Sequence, residues 1–156
     1  MQQRVNDQAA FILHRRDYQN SSLILDLFTR DFGRISVVVK SAKTRRDVAS
    51  FQLGNRLSVS WSGVAELKTL TQCESRAIDI PVANFSGVFY INELILYLLP
   101  KSDEYPRLFD SYQIFLVELA QLGCDQSVQY QQQFETQLRN FELDILTSLG
   151  YMPPLN

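Results

Sequence analysis

The sequence predicts an α+β protein, in which a small five-stranded barrel precedes a small three-helix domain. Two changes along the chain support this division into two domains. After Pro81 the apolar residues change from short β-type runs to the spacing of amphipathic helices. The charge also changes sign, because residues 1–80 carry twelve Lys/Arg and eight Asp/Glu, whereas residues 81–156 carry three and nine. We therefore expect two domains of opposite charge, 1–80 and 81–156.

Five strands are predicted in the first domain, over about 9–15, 22–30, 33–40, 56–62 and 66–75. The fourth strand alternates most clearly, because Leu57, Val59 and Trp61 share one face and serines occupy the other. Short turns at Gly33 and Gly63 join neighbouring strands, and a longer polar connection over 41–55 follows the third strand. Five short strands of this kind predict a small closed barrel, since closure removes exposed strand edges.

Three amphipathic helices are predicted in the second domain. The first covers about 85–99, with Asn84 as its N-cap. The second begins near Pro106 and stops at Gly123, and the third covers about 128–149 with Gly150 after its C-terminus. Their apolar stripes are sufficient to form one shared core.

Composition places the chain among ordinary globular proteins, with 46% hydrophobic and 21% charged residues. Residues 1–8 lack the apolar run of a signal peptide, and no apolar stretch reaches the roughly 20 residues of a membrane span. Cys73 and Cys124 are far apart and form no CxxC pair, so we expect neither a metal nor another cofactor. A cytoplasmic protein is expected, and association with the nucleoid is expected only if the protein binds DNA.

No motif for catalysis is present: the sequence lacks a glycine-rich phosphate loop, an HExxH motif and a metal-spaced cluster of His, Cys and Asp. His14 is the only histidine, and it has either a structural role or a contact with phosphate. The acidic residues of the second domain are spread over several helix faces, which disfavours a pair of catalytic carboxylates. We therefore expect a protein that is not an enzyme.

The strongest site signal is the segment 40–46, KSAKTRR, which holds four cations in seven residues. Long cationic side chains beside hydroxyl groups suit the regularly spaced phosphates of a nucleic acid and require no base sequence. With cations on or beside neighbouring strands, the predicted DNA-binding residues are Arg34, Lys40, Lys43, Arg45, Arg46, Arg56 and Lys68. The alternative is a loop charged for solubility.

Single-strand binding also needs aromatic side chains on which bases stack. Tyr18, Phe28 and Trp61 are the candidates in the first domain. Trp61 alternates in register with Leu57 and Val59, which favours a place in the core over a stacking surface.

In the second domain, Arg139 is the only Lys/Arg after Arg107. Phe134, Leu138 and Phe141 lie near it on the same predicted helix. The cation either keeps the helix soluble or binds the carboxylate of an acidic partner peptide in a groove lined by these three apolar residues.

Four stretches resemble the RecO family of bacterial DNA repair proteins. They are AFILHRRDYQNSSLILDLFTRDFGRISVVVKSAK (10–43), WSGVAELKTLTQCES (61–75), FYINELILYLLP (89–100) and LRNFELDILTSLGY (138–151). The resemblance implies an N-terminal OB fold followed by a helical domain. It also implies a recombination mediator that binds single- and double-stranded DNA and anneals complementary strands. Such a mediator works with RecR to load RecA onto DNA coated by single-strand-binding protein, whose acidic C-terminal tail would be the peptide bound at Arg139.

The chain departs from the family pattern at three places. Ser41 stands where the family usually has glycine, and the segment 47–55 differs from the usual sequence of the loop. Family members normally continue into further helices, some with a four-cysteine zinc site, so we expect a fragment or a truncated product. A DNA-binding mediator is the first hypothesis, and a non-catalytic adaptor that uses its helical domain and binds nucleic acid weakly is the second. An enzyme is the third.

Overall fold

The computed structural model describes residues 3–45, 48–125 and 127–151. It confirms the predicted fold class, with strands followed by helices. The strands are β1 (Arg4–Tyr18), β2 (Ser22–Thr29), β3 (Gly33–Val39), β4 (Arg56–Ser62) and β5 (Leu67–Arg76). The helices are α1 (Phe85–Leu98), α2 (Pro106–Leu122) and α3 (Val128–Ser148). No helix in this described part combines the length and the apolar character that crossing a membrane requires.

The strands form a closed barrel in the order β1-β2-β3-β5-β4, as predicted. Neighbouring strands are antiparallel except β3 and β5, which pair in parallel. β1 begins at Arg4, earlier than predicted. The sequence does not reveal this start, because the first residues of the strand are polar and do not alternate. The backbone of Asp7 has φ 55°, and the pairing of β1 with β4 shifts register between Val5 and Gln8. This irregularity bends the strand, which lets one long strand pair on both sides.

The barrel core consists of inward-facing residues from every strand and includes Trp61, which is only 2% exposed. The Phe32 ring lies nearly perpendicular to the Trp61 ring, with 5.3 Å between their centroids. The structure therefore confirms that Trp61 belongs to the core. Phe51, from the loop between β3 and β4, is also fully buried in this core. The guanidinium of Arg15 donates a hydrogen bond to its carbonyl oxygen at 2.6 Å, which holds the loop against the barrel.

The three helices share an aromatic core. The rings of Tyr112 and Phe115 on α2 lie 5.8 and 5.4 Å from the Phe141 ring on α3. Tyr112 is fully buried and donates a hydrogen bond to the Asn92 side chain on α1 at 2.5 Å. Burial raises the pKa of the Tyr112 hydroxyl, so this group keeps its proton and remains a donor.

Asn84 does not cap α1, which corrects the sequence prediction. Its backbone has the helical values φ −91° and ψ −5°, and its side chain makes no capping bond. The buried side chain instead donates to the carbonyl oxygens of Leu119 at 3.0 Å and Gly123 at 2.7 Å, and accepts from the Tyr130 hydroxyl. It thereby supplies donors to carbonyls in the last turn of α2 and just after it, where a helix leaves carbonyl groups without partners. The local preference of asparagine for N-caps could not reveal this long-range role.

We expect Asn84→Ala to lower the free energy of unfolding by about 1–3 kcal/mol, because it leaves buried carbonyl groups without donors. Tyr130→Phe removes one of the hydrogen bonds and should cost about 1 kcal/mol. Urea unfolding followed by circular dichroism measures both. Asn140→Ala, at an exposed position of α3, is the control and should change stability by less than about 0.5 kcal/mol. Equal losses in Asn84→Ala and Asn140→Ala would show that the buried hydrogen bonds contribute nothing.

The chain divides into two compact units, which differ from the predicted domains at residues 78–80 and at one later segment. Met1–Ala77 and Pro100–Glu104 form the barrel unit, and Ile78–Leu99 and Tyr105–Asn156 form the helical unit. Residues 100–104, here called the crossing segment, thus belong to the barrel unit although they follow α1. The backbone N–H of Ser102 donates to the carbonyl oxygen of Arg34 at 2.9 Å. A Cβ atom at Gly33 would lie 2.0 Å from the carbonyl oxygen of Asp103, so the two backbones are in direct contact.

Candidate nucleic-acid interface

The predicted DNA-binding cations that the structure describes lie at two opposite ends of the barrel. Because β3 and β5 are parallel and Ser36 pairs with Leu67, both strands start at one end of the barrel and finish at the other. Lys40 follows the last residue of β3, and Arg56 is the cross-strand partner of Arg76, the last residue of β5. Arg34 and Lys68 instead lie second in β3 and β5. The structure therefore does not bring all of the predicted cations together.

We call the first of these two ends the loop end, because the connection between β3 and β4 lies there. It carries Lys40, Lys43, Arg45, Arg56 and Arg76. The backbone N–H of Lys43 donates to the carbonyl oxygen of Ser21 at 3.1 Å, which attaches the loop to the turn between β1 and β2. The ammonium of Lys43 lies 3.4 Å from a carboxylate oxygen of Asp17, and both side chains are largely exposed. Exposed ion pairs of this kind are weak, so a phosphate can replace the carboxylate.

Two residues set the shape of the basic loop. Ser41 has φ 54° and ψ 32°, a left-handed conformation that glycine adopts more easily than other residues. This geometry explains why glycine suits position 41 in the family that the sequence resembles. The Arg45 guanidinium lies over the Phe51 ring, 5.6 Å from its centroid. Arg46 lies outside the described residues. Part of the predicted charge of the loop is thus held close to the barrel surface.

Arg76 is a cation that the sequence analysis missed. It lies directly opposite Arg56 on the neighbouring strand. A groove of about 470 Å³ adjoins the pair, and its lining includes Asp7, Arg56, Ser58, Glu74, Ser75 and Arg76. Neither arginine forms an ion pair with the residues that the structure describes. Like charges directly opposite each other repel, so an anion bound between them would be favoured. The register shift between Ser60 and Trp61 creates this pair, because simple counting outward from the turn between β4 and β5 would place Ser75 opposite Arg56.

At the opposite end, the Lys68 side chain and the Arg34 backbone contact other parts of the barrel unit. The ammonium of Lys68 donates to the carbonyl oxygen of Ala65 at 2.8 Å, and the carbonyl oxygen of Arg34 accepts from the crossing segment. Lys101 lies 2.8 Å from a carboxylate oxygen of Glu66. Its hydrogen bond and positive charge lower the pKa of that carboxyl group. Arg34 and Lys68 thus lie at the end of the barrel opposite the loop end, where the strand register places them.

The positions of Phe28, Tyr18 and His14 give little support to the prediction that these side chains contact nucleic acid. All eight residues of β2 are buried, including Phe28, so in this structure β2 presents no aromatic ring to solvent. Tyr18 is half-buried and remains a stacking candidate. The Nδ1 atom of His14 lies 3.7 Å from a carboxylate oxygen of Asp26, which also accepts a hydrogen bond from Ser36 at 2.6 Å. This geometry favours the structural role for His14.

Cys73 and Cys124 carry free thiols. Within residues 3–45, 48–125 and 127–151, no group of three or more His, Cys, Asp and Glu side chains could hold a metal ion.

Arg139 on α3 is exposed, but it already has an acidic partner. Its guanidinium lies 2.8 and 3.0 Å from the two carboxylate oxygens of Glu142. The Tyr90 hydroxyl on α1 donates to the same carboxylate at 2.7 Å. Hydrogen bonding to Glu142 raises the pKa of Arg139 and also that of Tyr90. An incoming carboxylate would therefore have to compete with Glu142.

The three apolar residues predicted to line a groove near Arg139 pack within the helical unit. Phe141 is buried against rings of α2. Phe134 and Leu138 lie against α1, since a Cβ atom at Gly87 would be 3.0 Å from the Phe134 ring and 3.4 Å from the Leu138 side chain. Gly87 thus permits the close approach of α3 to α1. Peptide binding by Arg139 and these residues stays a prediction.

A five-stranded barrel of this topology with a cationic end, followed by a helical unit, defines an OB-fold protein suited to binding polyanions. The family model described as Recombination protein O N terminal matches residues 1–78, and the one described as Recombination protein O C terminal matches residues 82–156. The chain belongs to the RecO family.

Several curated relatives are named DNA repair protein RecO, and three of them show the extent of the similarity. The relative from Aliivibrio salmonicida is 39% identical over 148 residues, which cover 92% of this chain and 58% of the relative. The relative from Marinobacter nauticus is 41% identical over 152 residues, covering 94% and 59%. The relative from Methylococcus capsulatus is 44% identical over 147 residues, covering 91% and 57%. The chain thus spans a little under three fifths of the length of these relatives.

Proposed function

We propose that this chain is a non-catalytic DNA-binding mediator of DNA repair, and that its barrel binds single-stranded DNA at the loop end. The observation that carries the proposal is the convergence of Lys40, Lys43, Arg56 and Arg76 on one end of an OB barrel. Membership of the RecO family supports a role in repair, since the relatives are named as DNA repair proteins.

The charge distribution favours the barrel as the DNA-binding unit. Exposed Lys and Arg side chains neutralise phosphates and release the counterions condensed on them, which favours binding without base specificity. The helical unit carries two Lys/Arg, Arg107 and Arg139, against eight Asp/Glu. Its net negative charge repels a polyanion, so the DNA should contact the barrel.

A titration of a fluorescently labelled single-stranded oligonucleotide at several salt concentrations tests this function. If four cations each contact one phosphate, the slope of log K against log salt should be about −3, because each contact contributes about −0.7. Affinity should depend little on base sequence. Binding that does not change with salt would overturn the proposal.

Annealing of complementary strands and loading of RecA belong to the same proposal. The loop end presents two cationic groups, one around Lys40 and Lys43 and one at Arg56 and Arg76, and neutralising phosphates on two strands lowers the repulsion between them. Cooperation with RecR and with DNA coated by single-strand-binding protein is proposed from the family resemblance. Contact with duplex DNA is proposed on the same ground.

The second candidate function is a protein-interaction adaptor. The observation that favours it is the set of exposed apolar side chains on the helical unit, which includes Phe89, Tyr97 and Ile114 at 54%, 87% and 58% exposure. Large exposed apolar residues are typical of surfaces that bind other proteins. The salt titration separates the two candidates, because an adaptor would bind the oligonucleotide weakly even at low salt.

Arg139→Ala should weaken binding of the acidic C-terminal tail peptide of single-strand-binding protein by about tenfold or more, because a charge-assisted contact contributes about 1.5–3 kcal/mol. Glu142→Gln should strengthen binding, since it removes the carboxylate that competes for Arg139. Fluorescence anisotropy with a labelled tail peptide measures both effects.

Arg107→Ala removes the other cation of the helical unit and serves as the control. An equal loss of peptide affinity in Arg107→Ala and Arg139→Ala would indicate attraction to net charge instead of a specific contact. Full peptide affinity in Arg139→Ala, together with impaired oligonucleotide binding, would place Arg139 on a DNA-binding surface.

A further inference from the structure

A groove runs along one side of the pair formed by α2 and α3. Its wider part has a volume of about 670 Å³ and its narrower part about 150 Å³, and both parts are lined by Glu118 and Gln137. On α2 the lining extends from Ser111 to Leu122. This span corresponds to a groove about 16 Å long, since a helix rises about 1.5 Å per residue.

Side-chain amides dominate the wider part of the groove. They come from Gln121 on α2 and from Gln129, Gln132, Gln133 and Gln137 on α3. The Oε1 atom of Gln137 is buried and has no hydrogen-bond partner among the described residues. A buried acceptor without a donor is costly, so rotation of the Gln137 side chain toward the groove, where a bound molecule can supply an N–H group, would be favoured.

The charged residues of the groove are acidic. Glu118 lines both parts and Asp144 lines the narrower part, whereas no Lys or Arg lines either. Neither carboxylate forms an ion pair with the residues that the structure describes. Phosphates are therefore repelled from this groove, and so is the helical unit of a second copy of the chain, which has the same net negative charge.

We propose that this groove binds a short, extended, basic segment of a partner protein. Two cationic side chains of the segment pair with Glu118 and Asp144, and one of its backbone N–H groups donates to Oε1 of Gln137. The other glutamine amides provide donors and acceptors for its backbone. A groove of about 16 Å accommodates about five extended residues at about 3.3 Å each. This interaction surface is separate from the DNA-binding surface and does not depend on the proposed function.

The test uses the full chain and a labelled, end-capped seven-residue peptide with lysine at every second position and serine between. Fluorescence anisotropy should show binding of this peptide and no comparable binding of the peptide with glutamate in place of lysine. Glu118→Gln combined with Asp144→Asn should weaken binding at least tenfold.

The matched control combines Glu93→Gln with Glu135→Gln. These residues are exposed on α1 and α3 outside the groove, and their replacement removes the same two charges. We expect less than a twofold change in affinity. A loss equal to that of the groove variant would show general attraction to an acidic unit and would overturn the proposal.

Gln137→Met tests the buried oxygen with a side chain of similar volume. It should weaken peptide binding several-fold and raise the Tm of the free protein, because the buried acceptor without a donor is removed. Unchanged peptide affinity in both Gln137→Met and the Glu118/Asp144 double variant would overturn the proposal. So would equal affinity of the wild-type chain for the lysine and glutamate peptides.

Discussion

Simultaneous replacement of Lys40, Lys43, Arg56 and Arg76 with glutamine is expected to weaken single-stranded DNA binding several hundred-fold at about 0.1 M salt. A phosphate contact with a salt slope of about −0.7 contributes a factor of about five at 0.1 M salt relative to 1 M, and four such contacts multiply to about 600. The slope of log K against log salt should fall toward zero at the same time. Anisotropy of a labelled oligonucleotide measures the affinity and the slope.

The control for this variant removes four cations from the opposite end of the barrel: Arg4, Arg30, Lys68 and Lys101, each replaced by glutamine. Arg4 pairs with the last residue of β4 and Arg30 follows the last residue of β2, so both lie at the end where β3 and β5 begin. Net charge changes by the same amount, yet affinity should fall only a few-fold. If both variants lose affinity equally, DNA binding depends on total charge and the loop end is not the site.

Gly33→Ala is expected to lower the free energy of unfolding of the barrel by about 2–5 kcal/mol, the sum of a conformational cost and a steric cost. The conformational cost arises because Gly33 has φ +68°. The steric cost arises because the new Cβ atom would lie 2.0 Å from the carbonyl oxygen of Asp103, so the crossing segment must shift. Urea unfolding followed by the fluorescence of Trp61 reports on the barrel, since this single tryptophan lies in its core.

Gly63→Ala separates the two costs. Gly63 also has a positive φ, +119°, but the nearest atom to a Cβ added there would be the Cα of Lys68, at an ordinary contact distance of 3.7 Å. This variant should lose only the conformational part, about 1–2 kcal/mol. Equal losses at Gly33 and Gly63 would mean that the crossing segment does not constrain the turn between β2 and β3.

The helices could be predicted closely from the sequence because of their regular apolar period, and most strands because short apolar runs are bounded by turn residues. β4 matches its predicted range completely, since Leu57, Val59 and Trp61 alternate with serines. β1 was the exception, because the irregularity at Asp7 interrupts the alternation and its first residues are polar. The role of Asn84 was also missed, because its partners Leu119 and Gly123 are distant in sequence.

The candidate site could be predicted only in part. The basic loop was recognisable because its cations are close together in sequence. Arg76 was missed because its proximity to Arg56 depends on the register between β4 and β5. Arg34 and Lys68 were grouped with the loop because the parallel pairing of β3 and β5, which places them at the other end, appears only when the barrel closes.

The crossing segment also affects the order in which the barrel can be completed during synthesis. The last strand ends at Arg76, but residues 100–104, which contact Gly33 and Arg34, emerge from the ribosome only after the whole of α1. Chains are made from the N-terminus, and domains generally fold as units as they emerge. The β2–β3 turn of the nascent barrel therefore stays uncovered until α1 and the crossing segment after it have been translated. For the same reason, a protein truncated after Ala77 would lack residues 100–104, which belong to the barrel unit.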